Sequence, residues 1–181
     1  RRRRHGRIDG VVHGAGVTED KLIRDKSVES FCRVWSPKVV GACTLAANLR
    51  SDSLKFMFFF SSVSARYGNR GQADYAAANE FLNKMAQALN GRWSARVASL
   101  NWGPWESVGG MVSPELAKQF AKAGIVMISR AQGRRLFVDE MLYGEKADVE
   151  VVYGGPLSIP EARPPVKDAR LHARPLLNFR S

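Results

Sequence analysis

Five polar residues in this sequence are spaced so that they can meet around one substrate. Ser61 and Ser62 follow the apolar run Leu54 to Phe60, and Lys38 directly follows Pro37. Tyr75 and Asn79 stand four residues apart, which puts them on one face of a helix. A phenol has an ordinary pKa of about 10, so it gives a proton to a carbonyl oxygen only when its phenolate is stabilised. A nearby ammonium does this by favouring the charged form. A serine hydroxyl can hold the same carbonyl oxygen and stabilise the charge that develops on it. An asparagine can fix a water that resupplies the proton. Together these groups suit reduction of a ketone by hydride.

The surrounding sequence supplies elements to position them. Ile8 to His13 reads as a short strand that stops at Gly14-Ala15-Gly16. Ser27 caps a helix that starts at Val28, meets Pro37 and continues to about Leu49, with the proline expected to kink or restart it. The length and aromatic content of Leu54–Phe60 favour a buried strand. The clearest helix covers about Gln72 to Leu89, with Tyr75, Ala78, Leu82, Met85 and Leu89 on one stripe. Arg96–Leu100 is another strand, followed by Asn101-Trp102-Gly103. Ser113-Pro114 opens a helix, a second covers about Ala131 to Leu142, and Val149–Val152 is a last strand. Strands alternating with helices predict an α/β fold, a doubly wound parallel sheet with helices on both faces. Ligands in such sheets bind beyond the carboxyl ends of the strands, where the polar residues above fall.

Composition narrows the alternatives. The chain has 181 residues, enough for one domain with a sizeable core. The longest unbroken apolar stretch in this region, Phe56 to Phe60, is far short of a membrane span, and no apolar segment follows the basic start, so neither a membrane nor a secretory signal is expected. The net charge of +11 lies mostly at the ends: Arg1–Arg7 carries +5, Pro156–Ser181 carries +3, and the body between them carries the remaining +3. A folded nucleic-acid domain would carry its basic stripe on the body, so nucleic-acid binding is not expected. Cys32 and Cys43 are the only cysteines and fall in one helical segment, without a metal-ligand spacing. A reducing, cytoplasmic compartment follows from that usage.

Several motifs together resemble one family. Val-Val-His-Gly-Ala-Gly at Val11–Gly16, Ser-Pro-Lys-Val-Val-Gly at Ser36–Gly41 and Phe-Ser-Ser-Val-Ser at Phe60–Ser64 are three of them. Asp-Tyr-Ala-Ala-Ala-Asn at Asp74–Asn79 and Asn-Trp-Gly-Pro-Trp at Asn101–Trp105 are two more. The segment Ile8–Gly155 resembles the ketoreductase domain of polyketide and polyunsaturated-fatty-acid synthases, within the short-chain dehydrogenase/reductase family. In most of that wider family the lysine lies on the tyrosine helix and the asparagine on the kinked one. Here the two are exchanged, as is typical of polyketide ketoreductases.

The resemblance implies the roles. Tyr75 would be the proton donor, and Ser62 rather than Ser61 would orient the carbonyl. Lys38 would bind the nicotinamide ribose and lower the tyrosine pKa, and Asn79 would support the proton relay. Ala15, Gly16, Trp102 and Gly103, with Lys38 and Tyr75, would line the NADPH site. Thr18-Glu19-Asp20 occupies the place of a Leu-Asp-Asp motif, and Asp20 matches the residue that accompanies a D-configured, B-type product. The implied reaction is NADPH-dependent reduction of a β-ketoacyl group on an acyl carrier protein, beside neighbouring synthase domains. A free-standing reductase of a small ketone and a non-catalytic structural half-domain are the alternatives.

The glycine-rich fingerprint Gly-x-Gly-x-x-Gly, which would hold the cofactor pyrophosphate, is absent from all 181 residues. The resemblance therefore implies the C-terminal catalytic half of a Rossmann-like domain, strands 4 to 7 with their helices. Residues 1–7 read as a basic segment left unassigned, 8–155 as the catalytic half, and 156–181, with five prolines, as a linker or the start of a following domain. The strand Ile8–His13 is expected to form an exposed sheet edge.

Overall fold

A computed structural model describes residues 7–49, 51–106, 118, 120–122 and 124–154. The start of the helix expected from Ser113-Pro114, and the segments 1–6 and 155–181, lie outside the described residues, while 118 and 120–122 are helical.

Four strands, β1 (Gly10–His13), β2 (Phe56–Ser62), β3 (Arg96–Trp102) and β4 (Glu150–Tyr153), form one sheet. They lie side by side in chain order and every pairing is parallel. Parallel neighbours need crossover connections, and helices provide them. Among the described residues these are α1 (Val28–Asn48), the short α2 (Val63–Tyr67), α3 (Ala73–Asn90) and α4 (Arg130–Tyr143).

The apolar run in β2 is buried on both faces, as expected for a parallel strand covered by helices. Met57 and Phe59 meet Ala42 of α1, Leu82 and Ala86 of α3, and Val97 of β3. Phe58 faces the other way, with Ala98, Leu100, Trp102 and Ile128, where Leu136 and Phe137 of α4 complete the layer. The helical stripe read from the sequence is thus a core stripe, with Leu82 buried and Met85 and Leu89 packed beside it.

Several element boundaries differ from the sequence reading. β1 starts at Gly10 because its first partner, Phe56, begins β2. β2 and β3 run two residues further than read, because Ser61 pairs with Asn101 and Ser62 with Trp102. Pairing of Asn101 and Trp102 with Val152 and Tyr153 of β4 sustains that extension.

Pro37 does not restart the first helix. α1 runs unbroken through it, capped by Ser27, whose side chain accepts from the Ser30 amide. An interior proline costs about 3 kcal/mol. Burial of Val34, Lys38, Val39 and Ala42 along the same helix offsets that cost, since packing of a buried face supplies most helical stability. Cys32 and Cys43, on this helix, are free and exposed. Among the described residues no helix is long and apolar enough to cross a membrane.

Candidate active site

The carboxyl end of β2 carries two serines with different surroundings. Ser61 is buried, its hydroxyl lying 3.1 Å from the Asn79 carbonyl oxygen and 3.0 Å from Asn101 Oδ1. It joins β2, α3 and β3. Ser62, on the opposite side of the pleat, is part-buried and caps α2, accepting from the Ser64 amide at 3.2 Å. Successive residues of a strand face opposite ways: the Ser61 hydroxyl is committed to the core, and the Ser62 side chain reaches Tyr75.

Lys38 reaches the same end from α1. Its ammonium donates to the Phe60 carbonyl oxygen at 2.9 Å and stands over the Tyr75 ring, 5.4 Å from the centroid. Burial pulls its pKa down to about 8. Gly16, in the loop after β1, lies against this side chain: a Cβ there would come within 2.9 Å of Lys38 Cε. Ala15 beside it is exposed.

Tyr75 and Asn79 lie one turn apart near the start of α3. Asn79 is fully buried and its Nδ2 donates to the Tyr75 carbonyl oxygen at 2.8 Å. Its Oδ1 has no hydrogen-bond partner among the described residues. Burial pushes the Tyr75 phenol above its ordinary value, while the Asn79 and Ser62 side chains act the other way and the Asp20 charge adds to the rise. The resemblance implies that Lys38 brings the phenol down. Its ammonium is directed to the Phe60 carbonyl, and burial outweighs the lowering influences. A raised phenol is protonated at neutral pH, which is the state a proton donor must start in.

Asp20 is exposed and its Oδ2 accepts from Gln72 Nε2 at 2.9 Å, at the entry to α3. Trp102 is only 6% exposed. It stacks on Tyr153 and meets Phe60 and Trp105 edge-on, so its ring belongs to the core, and its Nε1 is buried without a partner among the described residues. Gly103 donates its amide to the Tyr153 carbonyl oxygen at 2.7 Å. The structure thus brings Lys38, Ser62, Tyr75 and Asn79 together, with Gly16 against the lysine, and leaves Trp102 and Gly103 packed at the β3–β4 junction.

His13 ends β1 beside this cluster. Its Nε2 lies 2.8 Å from the Lys38 carbonyl oxygen. A carbonyl only accepts, so this nitrogen carries the proton. Burial lowers the ring's pKa, and His13 is a satisfied structural residue.

The sequence reading missed Lys26 and Asp74. They form an ion pair at 2.7 Å whose side chains are 3% and 1% exposed. An acid in the first turn of a helix ordinarily reads as a solvated partner of the helix dipole. No local pattern reveals a lysine 48 residues earlier in the chain.

The KR domain family model matches residues 1–107. The chain is 40% identical over 146 residues to a polyunsaturated fatty acid synthase polypeptide from Thraustochytrium sp., covering 81% of this chain and 5% of that protein. It is 34% identical over 153 residues to the polyketide synthase PksN of Bacillus subtilis, covering 84% of this chain and 3% of that one. Among solved structures, a ketoreductase domain from the bacillaene assembly line superposes with a TM-score of 0.75 at 34% identity, over 84% of this chain and 37% of that one. The chain therefore spans a small fraction of its synthase relatives and about a third of a solved ketoreductase. A parallel strand that ends in Ser62, a lysine over a tyrosine ring and a sequence match across more than half the chain agree: this chain belongs to the KR domain family, the ketoreductases of polyketide and polyunsaturated-fatty-acid synthases.

Proposed function

We propose that this chain carries the catalytic residues for NADPH-dependent reduction of a β-ketoacyl group, borne on an acyl carrier protein, to a β-hydroxyacyl group. The observation that carries the reading is the convergence of Lys38, Ser62 and Asn79 on Tyr75, from three separate elements. The residues present suit the nicotinamide-ribose end of the cofactor. Gly16 leaves the Lys38 side chain room that a Cβ would fill, and Asn79 Oδ1 is a buried acceptor awaiting a donor.

When bound, the cofactor supplies a hydride to the carbonyl carbon. Ser62 donates to the carbonyl oxygen and holds it facing Tyr75. Tyr75 gives its phenolic proton to that oxygen as negative charge develops there. The Lys38 ammonium, over the Tyr75 ring, would favour the resulting phenolate through space and would hold the ribose hydroxyls. Asn79 Oδ1 holds the donor that returns a proton to Tyr75. Asp20, joined to Gln72 at the entry to α3, lines the approach and favours the D-configured, B-type product.

The test uses a ketoreductase domain of full family length that carries these residues. Tyr75→Phe should lower the rate of NADPH oxidation with a β-ketoacyl carrier protein by about 10²-fold or more, the scale of a positioned general acid. Near-normal turnover would remove Tyr75 from the mechanism. Chiral analysis of the wild-type product should give the D-hydroxyacyl chain, and an L-hydroxyacyl product would overturn the role given to Asp20. Equal turnover of a free small ketone and the carrier-bound substrate would favour a free-standing reductase.

A further inference from the structure

The loop between β1 and α1 is fastened at three consecutive residues. The Glu19 carboxylate accepts from Ser30 Oγ at 2.7 Å and from Arg33 Nε and Nη2 at 2.6 and 2.9 Å. Arg33 and Ser30 hold the Glu19 pKa down to about 2. Asp20 is joined to Gln72, and the Lys21 amide donates to the Gly71 carbonyl oxygen at 3.0 Å. Glu19 thus anchors the loop to α1, while Asp20 and Lys21 anchor it to the entry of α3.

Lys26 and Asp74 lie beneath these ties. Lys26 Nζ donates to the Glu19 carbonyl oxygen and to Asp74 Oδ2, both at 2.7 Å. The other carboxylate oxygen, Asp74 Oδ1, accepts the backbone N–H of Tyr75 at 2.8 Å. An unbroken path of hydrogen bonds therefore runs from the Tyr75 backbone through Asp74 and Lys26 to the loop that presents Asp20. A buried ion pair is a weak source of stability, because desolvation offsets most of the attraction. An exposed acid in the first turn would serve the helix dipole equally well. The burial of this pair is explained by what it connects.

We propose that Lys26 and Asp74 are positioning residues for ketone reduction: they lock the phenol-bearing turn of α3 and the Asp20 loop into one rigid unit, and so set both the reach of Tyr75 and the carbonyl face that is presented. This rests on the reading of Tyr75 as the proton donor. Neither residue touches substrate. Both act through Tyr75 and the loop. Misplacing a reacting group by about 1 Å costs about 10²-fold in rate.

The experiment compares wild type, Lys26→Met, Lys26→Arg, Asp74→Asn and Tyr75→Phe in a full-length ketoreductase domain carrying this sequence. The substrate is a β-ketoacyl carrier protein with NADPH. Lys26→Met should lower kcat about tenfold to 10²-fold with KM little changed, because the loss is confined to the transition state. Its product should become a mixture of D and L alcohols. Lys26→Arg should restore most of the rate and a single configuration. Asp74→Asn keeps the shape and one acceptor for the Tyr75 amide, so it should show a smaller loss of the same kind. It carries the test by itself if Lys26→Met does not fold. Folded variants with wild-type kcat and one product configuration would overturn the proposal while Tyr75→Phe stays inactive. An active Tyr75→Phe would overturn the catalytic reading instead. A rise in KM alone, with kcat intact, would make the pair part of substrate binding and also refute it.

Discussion

Lys38 is held between two groups: its ammonium donates to the Phe60 carbonyl oxygen and stands 5.4 Å from the centre of the Tyr75 ring. Burial brings its pKa down to about 8 from 10.5. Between those two pH values the unfolded chain binds more protons than the folded one, so stability rises with pH across that window and falls again as pH drops toward 8. The shift corresponds to an upper limit of about 3 kcal/mol. Chemical denaturation at both ends of the window should show wild type gaining about 1–3 kcal/mol more than Lys38→Met. Equal gains would show that the lysine is not buried as a charge.

The two serines should separate stability from activity. Ser61→Ala removes a buried hydroxyl shared with Asn79 and Asn101, and should cost about 1–3 kcal/mol while kcat stays within a few-fold. Ser62→Ala should cost about 1 kcal/mol through the lost cap and lower kcat by about 10²-fold or more. Thermal melts and turnover on the same preparations check both. The reverse pattern would exchange the two roles.

Gly133 is a case in which helix propensity and packing disagree. In an exposed helix, glycine to alanine gains about 1 kcal/mol. In α4 a Cβ at Gly133 would run into the Trp105 ring. Gly133→Ala should therefore destabilise by about 1–3 kcal/mol and alter tryptophan emission as Trp105 is displaced. A higher melting temperature would show that the indole moves aside freely.

Among the described residues β1 pairs only with β2, and Val12 on it is 43% exposed. Such an edge presents unpaired backbone groups to other chains. The 181-residue chain by itself should self-associate as its concentration rises. Lacking the glycine-rich turn anywhere in its sequence, it should also bind NADPH only weakly. Sedimentation and fluorescence titration test this, and a stable monomer with micromolar affinity would contradict it.

Periodic and local features were legible in the sequence. The Phe56–Phe60 run signalled a doubly covered strand, Ser27 marked a helix start, and the stripe through Leu82 marked the core face of α3. Ser129 and Gln132 form a capping box that places the α4 start at Arg130, one residue earlier than the apolar pattern alone gave. What depends on distant partners was not legible. The continuity of α1 through Pro37 comes from burial against the rest of the fold. The last two residues of β3 join the sheet because β4 lies beside them. Arg96 reaches the buried Glu140, which Tyr153 also contacts, in a network spanning three elements. The candidate site residues were legible as types and spacings, and the resemblance already favoured Ser62 over Ser61; the pleat of β2 adds that Ser61 turns inward to Asn79 and Asn101.

That pleat makes β2 a ruler as well as a wall. Its residues alternate between faces with a period of two and advance about 3.3 Å each. Loss of a single residue inside Phe56–Phe60, with the amino end anchored opposite Gly10, would advance the chain by one place. Ser62 would then drop into the enclosed slot between Asn79 and Asn101, and Val63 would take the place of the hydroxyl proposed to hold the carbonyl. The slot would keep its hydroxyl and the proposed reaction would lose its own. The count of residues along β2 is thus under the same constraint as their identity.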